Sequence, residues 1–244
     1  MKNFVYIIIL LFGFESIAQN KTLIEAPKNQ NLFEVLSDSL QYVDSNFQFG
    51  KVYHADGKSS EVYLNYNLLL SEMHFVVYDS ELKKNKILSI ANPETIKFII
   101  FGKHLFVYDD KYGYLEVLVN TEIKLLKKEK LVVKADDKSQ GGYGAASESS
   151  GKTNVSYIKA FNTPFPIGSD GDITAYAEKE IKFYGMKSSA AKSLSSKKNL
   201  LGLFAKNQRT TLQAYLDSLN GKWNEEQHLI DFFKYADKII KENK

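Results

Sequence analysis

The chain has 244 residues, no cysteine, and a formal charge of +3 from 32 basic and 29 acidic side chains. Without cysteine it can form no disulfide, no thiol nucleophile and no Cys-ligated metal site. Every basic residue except Arg209 is lysine. This argues against nucleic-acid binding, because lysine lacks the bidentate fork with which arginine binds phosphate.

The N-terminus predicts export. Lys2 precedes an apolar run over residues 4–14, and the small residues Ser16 and Ala18 follow it. This is the pattern of a secretory signal peptide, and the run is shorter than the ~20 apolar residues that span a bilayer. We therefore predict that residues 1–18 are a signal peptide. The mature protein is expected in the periplasm, at the cell surface or outside the cell, with no transmembrane segment.

After a polar leader over residues 19–45, the sequence indicates β-structure. Asp56-Gly57 is a strong hairpin signal, because this pair tolerates the backbone angles of a tight hairpin turn. Short runs rich in β-branched and aromatic residues recur at regular spacing, which predicts an antiparallel meander. The first run begins at residue 47. The later runs are 61–66, 73–78, 86–90, 95–101, 104–108, 114–119, 123–126 and 131–133.

The second half of the chain changes in composition. A Gly/Ser-rich loop covers 135–154, and strand signals return at 155–161, 173–176 and 181–184, the last two as a hairpin. Residues 187–198 are typical of a linker. Helical periodicity marks a tail over 199–244. The predicted fold is α+β: an antiparallel β-rich domain over 46–186 (meander, sandwich or barrel-like), followed by a short C-terminal helical segment.

The sequence contains no recognisable catalytic motif. Gly151-Lys152-Thr153 lacks the upstream glycine of a phosphate-binding loop, since that position is Ala146. The four histidines are not at metal-ligand spacing, so we predict no metal and no cofactor. One enzymatic alternative stays open, a hydrolase of envelope polymers that uses a carboxylate pair. The acidic residues considered for it are Asp109, Asp110, Asp170 and Asp172.

Two sets of residues are candidates for partner binding. The first is a group of tyrosines predicted to be exposed, since tyrosine offers an apolar ring and a polar tip to a sugar or a protein; packing in the core is the alternative interpretation. It comprises Tyr63, Asn65, Tyr66, Tyr108, Tyr112, Tyr114 and Tyr143. The second is a basic stretch without acidic residues, suited to an anionic partner or to plain solvation. It comprises Lys182, Lys187, Lys192, Lys197, Lys198, Lys206 and Arg209.

Several short segments are similar to a known group of proteins. They are residues 50–53, 56–58, 64–67 and 72–75, the Ser-Ile-Ala-Gln cleavage region and the helical ending at 200–204 and 224–235. These segments resemble exported β-rich proteins of Bacteroidota-type bacteria. The resemblance implies export and a β-rich fold, and it brings no activity with it. The resulting hypothesis is a non-enzymatic cell-envelope protein that binds a protein or glycan partner through its β-rich domain.

Overall fold

A computed structural model of the chain describes residues 22–26, 36–135, 153–154 and 173–242. The described residues form a twelve-stranded sheet and four α-helices. The strands are β1 (Thr22–Ala26), β2 (Gln48–His54), β3 (Ser59–Asn67), β4 (Glu72–Asp79), β5 (Lys84–Ser89), β6 (Ile96–Phe101), β7 (His104–Asp109), β8 (Gly113–Val119), β9 (Lys124–Ala135), β10 (Thr153–Asn154), β11 (Ile173–Met186) and β12 (Ala191–Ser193).

The helices lie at both ends of the described chain. A single turn, α1 (Asp38–Gln41), precedes the main strands, and α2 (Lys197–Leu201) follows β12. The longer helices are α3 (Lys206–Ser218) and α4 (Glu226–Glu242). None of the helices in the described part of the chain combines the length and apolar character that crossing a bilayer requires.

All strand pairs are antiparallel, in the order β1-β11-β9-β8-β7-β6-β2-β3-β4-β5, with β10 beside β9 and β12 beside β11. After β1, which lies at one edge beside β11, the chain continues with β2 in the interior of this order and runs outward to β5. It then returns to the other side of β2 as β6 and continues outward through β9. The predicted fold class, an antiparallel β-rich domain with a C-terminal helical segment, is confirmed.

The sheet curls so that its two halves enclose a first apolar core. Residues from both halves pack together there, including Leu64 and Met73 on one side and Leu131 and Val133 on the other. A backbone hydrogen bond from Leu131 to Leu68 joins β9 directly to the β3–β4 connection. We call the enclosed surface the inner face and the opposite surface the outer face.

A second apolar core lies between the helices and one end of the inner face. Strand residues Val119 and Leu125 pack there against Leu212 of α3 and Phe232 and Phe233 of α4. Buried apolar residues recur along α4 every three or four positions, which is the spacing that places side chains on one face of a helix. The helical tail is therefore part of the folded body.

Several predicted boundaries are wrong. Residues 19–45, predicted as a leader, contain β1 and α1, and residues 187–198, predicted as a linker, contain β12 and the start of α2. Leu194 in this second range is buried in the second core. The predicted 155–161 strand, most of the 135–154 loop and the signal peptide lie outside the described residues.

Two pairs of predicted short runs are each one long strand. β9 covers both predicted runs, 123–126 and 131–133, except residue 123. β11 covers 173–186, where a hairpin was predicted. The two strands pair over twelve residues. Their polar centres complement each other, since Lys130 pairs with Glu180 at 2.7 Å and Lys179 pairs with Glu129 at 2.8 Å. Cross-strand charge pairs of this kind stabilise a sheet although they interrupt its apolar pattern.

Candidate functional site

Four apolar side chains form a row across the outer face. Phe49 pairs with Tyr63, Tyr63 with Val76, and Val76 with Ile87. Directly paired residues in antiparallel strands project to the same side, so the row crosses β2, β3, β4 and β5 over about 14 Å, three interstrand spacings. Phe49, Tyr63 and Ile87 are 60%, 54% and 50% exposed. We call these four residues the outer row.

The two rings at one end of the outer row contact each other. The centroids of Phe49 and Tyr63 are 5.6 Å apart in an edge-to-face arrangement. This geometry is favourable for aromatic pairs and leaves both rings half exposed. Single exposed apolar side chains are ordinary on protein surfaces, whereas a contiguous group indicates an interaction surface.

Polar and structured borders flank the outer row on both sides. On one side Lys51 and Glu61 form an ion pair of 3.3 Å. On the other side the segment before β2 covers the sheet, because the Asn65 side-chain amide donates to the backbone oxygen of Asp44 at 2.8 Å. The Tyr42 hydroxyl is hydrogen bonded to Nδ1 of His74 at 3.0 Å on the same side. The border on the ion-pair side is incomplete, because Tyr78 of β4 and Ile100 of β6 are also exposed on the outer face, at 67% and 40%.

The structure divides the predicted tyrosine group. Tyr63 is exposed, as predicted. The prediction of exposure is wrong for Asn65, which is buried beneath the segment before β2, and for Tyr66 and Tyr114, which are 2% and 5% exposed. Tyr66 and Tyr114 alternate with outer-face residues along their strands and therefore point into the first core.

The inner tyrosines belong to one aromatic cluster. Tyr114 contacts Tyr108 at 5.2 Å and Tyr66 at 6.2 Å between centroids, and Tyr66 contacts Phe106 at 5.0 Å. Burial raises the pKa of both Tyr66 and Tyr114 above the usual value for a phenol. The rings of Tyr66 and Tyr114 fill the core, so they are not available to a partner, whereas Tyr108 is only partly buried at the border of the core.

The remaining predicted tyrosines lie elsewhere. Tyr112 packs on Tyr184 at 4.5 Å beside a small third cluster on the outer face, and Tyr143 lies outside the described residues. The neighbouring Asp109 is a turn residue whose two carboxylate oxygens accept backbone N–H groups. Its Oδ1 accepts from Lys111 and Tyr112, and its Oδ2 accepts from Ala191, each at 3.0 Å.

The basic stretch does not form one uniform surface. Lys182 pairs with Glu180 and Lys197 with Asp217, and Arg209 donates from Nε to the backbone oxygen of Phe204. Lys198 and Lys206 are exposed on the short helix and at the start of α3. Lys187 and Lys192 line an open pocket of ≈ 460 Å³, together with Ser188, Ser189, Ala190, Gly202, Leu203, Phe204 and Ala205.

A network of charged residues on the inner face was missed by the sequence analysis. His104 Nδ1 donates to Glu116 at 2.6 Å, and His104 Nε2 lies 3.4 Å from Asp44. Lys127 pairs with Glu116 at 3.0 Å, and it lies 3.6 Å from both Glu129 and Glu226. We call these six residues the charged belt, since Glu116, Lys127 and Glu129 separate the two apolar cores.

The alternation along β9 contains the signal that was missed. Leu125, Lys127, Glu129 and Leu131 occupy successive positions on one face. Leu125 belongs to the second core and Leu131 to the first. Two charged residues inside an otherwise apolar alternation indicate a buried ion pair, but only the structure identifies their partners.

The pKa values of the belt follow from its contacts. The hydrogen bond from His104 to Glu116 raises the pKa of His104 and outweighs burial, which acts in the opposite direction. Burial also acts to raise the pKa of Glu116, but hydrogen bonds from His104 and Lys127 hold it below its usual value. Burial acts to lower the pKa of Lys127, but the Glu116 carboxylate more than compensates for this, so the pKa of Lys127 is raised. His104, Glu116 and Lys127 therefore favour one another's charged forms.

The described residues bring no three His, Asp or Glu side chains into an arrangement that could hold a metal ion. No protein-family model matches the chain, and no curated protein or solved structure shows significant similarity to it. The functional argument therefore depends on the surface itself, and the outer row is its most distinctive feature.

Proposed function

We propose that the chain is a non-enzymatic exported cell-envelope protein that binds a protein partner through the outer row. The observation that carries this proposal is the contiguity of Phe49, Tyr63, Val76 and Ile87 across four strands with three of the four half exposed or more. Exposed aromatic anchors surrounded by a polar rim are typical of protein interfaces. Export is supported by the signal-peptide pattern of residues 1–18.

A protein partner fits the outer row better than a glycan does. The row passes from two aromatic rings to the aliphatic side chains of Val76 and Ile87, which offer no hydrogen bond. A sugar lying along it would leave hydroxyl groups without partners, and that desolvation is costly. Apolar side chains of another protein would instead gain from burying the same surface.

The alternative hydrolase gains no support from the described carboxylates. Both oxygens of Asp109 already accept backbone N–H groups, so this carboxylate is used in holding its turn and the start of β12. Asp170 and Asp172 lie outside the described residues.

The proposal is tested with two variants of residues 19–244 immobilised against native envelope extract. In the first, Phe49→Ser and Tyr63→Ser are combined; in the second, Leu23→Ser removes a half-exposed apolar side chain of β1. We expect the wild type and Leu23→Ser to bind the same protein with equal affinity. We expect the double variant to bind it at least about tenfold more weakly, since anchor residues contribute more than ~1.4 kcal/mol each.

Equal binding by all three proteins would contradict the proposal, provided that circular dichroism shows each to be folded. A parallel screen on immobilised envelope glycans distinguishes the partner class. Glycan binding that Phe49→Ser and Tyr63→Ser abolish would overturn the assignment of a protein partner.

A further inference from the structure

The outer row ends at an edge strand. Among the described strands, β5 has a neighbour on one side only, which is β4. Its residues are exposed, apart from the partly buried Leu88. An exposed edge strand offers unpaired backbone N–H and C=O groups to another chain.

The register shows which backbone groups face outward. Ile90 donates its N–H to the oxygen of Met73 at 3.1 Å, and these residues continue the register in which Ile87 faces Val76. Hydrogen-bonded and non-hydrogen-bonded pairs alternate along an antiparallel ladder. Leu88 and Lys86 therefore direct their backbone groups to β4, whereas Asn85, Ile87 and Ser89 direct theirs to the open edge.

Ile87 connects the open edge with the outer row. Ile87 presents its side chain to the outer face and its backbone groups to the edge. A strand added beside β5 would place one of its side chains next to Ile87, at the cross-strand distance of about 5 Å. The partner would then extend the outer row by one position while forming main-chain hydrogen bonds.

The charge on the side of β5 opposite to the outer face indicates the chemistry of the partner. Lys84 and Lys86 lie on that face of β5, and within the described part of the chain neither forms an ion pair. Lysines at an edge oppose pairing with a second copy, because two β5 strands side by side would bring four lysines onto one face. An added strand with acidic side chains on that face would instead neutralise them.

We propose that the partner adds an extended segment to the open edge of β5, with apolar side chains beside Ile87 and acidic side chains beside Lys84 and Lys86. This inference rests on the proposed function and deepens it. It specifies an extended acidic-apolar peptide segment as the partner, bound by strand addition.

The probe is a fluorescent seven-residue peptide that alternates valine and glutamate, titrated into residues 19–244 and followed by anisotropy. We expect saturable binding of this peptide, and no binding of the matched peptide that alternates valine and lysine. A third peptide has the valine–glutamate sequence with N-methyl groups on the backbone nitrogens that would pair with β5. Loss of binding by this peptide is expected, since it keeps its side chains and loses its donors.

The protein variants test the edge directly. Asn85→Pro removes an outward N–H and leaves the β4–β5 ladder and the outer row unchanged, because proline is tolerated at such edge positions. We expect about five- to tenfold weaker peptide binding from the loss of one hydrogen bond. Asn85→Ala is the matched control and should bind as the wild type does. Lys84→Glu combined with Lys86→Glu should reverse the preference toward the lysine peptide.

Failure of this inference is separable from failure of the proposed function. Wild-type protein that binds neither peptide, or that binds the N-methylated peptide equally well, would overturn strand addition. So would an Asn85→Pro variant that folds and keeps full affinity. If the envelope partner is still lost on Phe49→Ser and Tyr63→Ser in that case, the outer row remains the binding surface and only the edge is excluded.

Discussion

His104 is held between two carboxylates that come from different parts of the chain. Glu116 belongs to the neighbouring region of the sheet, and Asp44 belongs to the segment that precedes β2. Hydrogen bonds to ionised groups are stronger than neutral ones, and the low dielectric of the interior strengthens them further. The protonated imidazole therefore links the N-terminal segment to the inner face.

The first prediction concerns the pH dependence of this link. The pKa of His104 is raised in the folded state above the usual value of about 6.5. Its stabilising contribution is therefore complete below about pH 6.5 and is lost as the pH rises through the raised pKa. His104→Gln keeps a hydrogen-bond donor but does not titrate. We expect the wild type to exceed this variant in free energy of unfolding by about 2 kcal/mol at about pH 5.5.

Urea unfolding at about pH 5.5 and about pH 9 measures the difference. At the higher pH the two proteins should be closer in stability. A difference that stays constant over this range would show that the proton on His104 contributes nothing. In the wild type Glu116 stays ionised at both pH values, because its pKa is held below its usual value, and Lys127 still acts to lower that pKa in His104→Gln.

Asn65 shows how a residue of the right chemistry was assigned the wrong role. Asn65 was predicted to belong to an exposed partner-binding group with Tyr63, with which it shares a face of β3. The amide instead donates to the backbone oxygens of Asp44 and Asn46. Whether another segment covers a strand face is a tertiary fact, and the local pattern contains no information on it.

At the scale of elements, β2 and β6 approach unusually closely at Gly50. A Cβ atom added to this glycine would lie 2.6 Å from the Cβ of Phe101 and 3.0 Å from Leu64 Cδ1, and it would also meet the backbone oxygen of Ile100. Gly50 and Phe101 are directly paired. The absence of a side chain at this position therefore allows the sheet to curl at its centre.

The second prediction is that Gly50→Ala destabilises the fold. The added methyl meets backbone atoms, which cannot rotate away, so the strands must separate. Overpacking of this kind costs about 1–3 kcal/mol, measured as a shift in the urea midpoint. Ser59→Ala, on the exposed end of the adjacent β3, is the control and should change stability by less than about 0.5 kcal/mol. A Gly50→Ala protein as stable as that control would contradict the close approach.

The long strands β9 and β11 explain why element boundaries were misplaced. Residues 127–130 are Lys-Lys-Glu-Lys, which reads locally as a break between two short strands. In the structure these residues continue the ladder, and several find partners across it or in the belt. Alternation of apolar and polar residues is a reliable guide only where one face meets water and the other meets the core.

At the scale of the molecule, two apolar cores share one sheet. β8 and β9 run from the first core, past the charged belt, into the second core beneath the helices. Because the same strands build both cores, loss of one core must disturb the other. The helical tail is expected to unfold together with the sheet and not as a separate unit.

The third prediction tests this cooperativity. Phe232→Ala removes a fully buried ring from the second core, and Leu64→Ala shortens a fully buried side chain in the first. Each substitution should cost about 2–5 kcal/mol. Trp223 is the single tryptophan and packs on the second core, so its fluorescence reports on the helices, whereas far-ultraviolet circular dichroism also reports on the sheet.

We expect both signals to show one coincident transition in the wild type and in each variant. Leu64→Ala should therefore shift the unfolding midpoint measured by Trp223 fluorescence as much as the midpoint measured by circular dichroism. Two separated transitions, with Phe232→Ala moving only the fluorescence transition, would contradict a single cooperative body.

The sequence by itself determined the class of the fold and the presence of most main strands and helices, because side-chain periodicity and turn residues act over a few positions. It also singled out Tyr63 as a surface residue. Only the tertiary structure decided that Tyr66 and Tyr114 are core residues, that the linker is packed, and that Phe49, Val76 and Ile87 line up with Tyr63. Such facts depend on strand register and on which face is enclosed, and both are set by contacts between residues far apart in the chain.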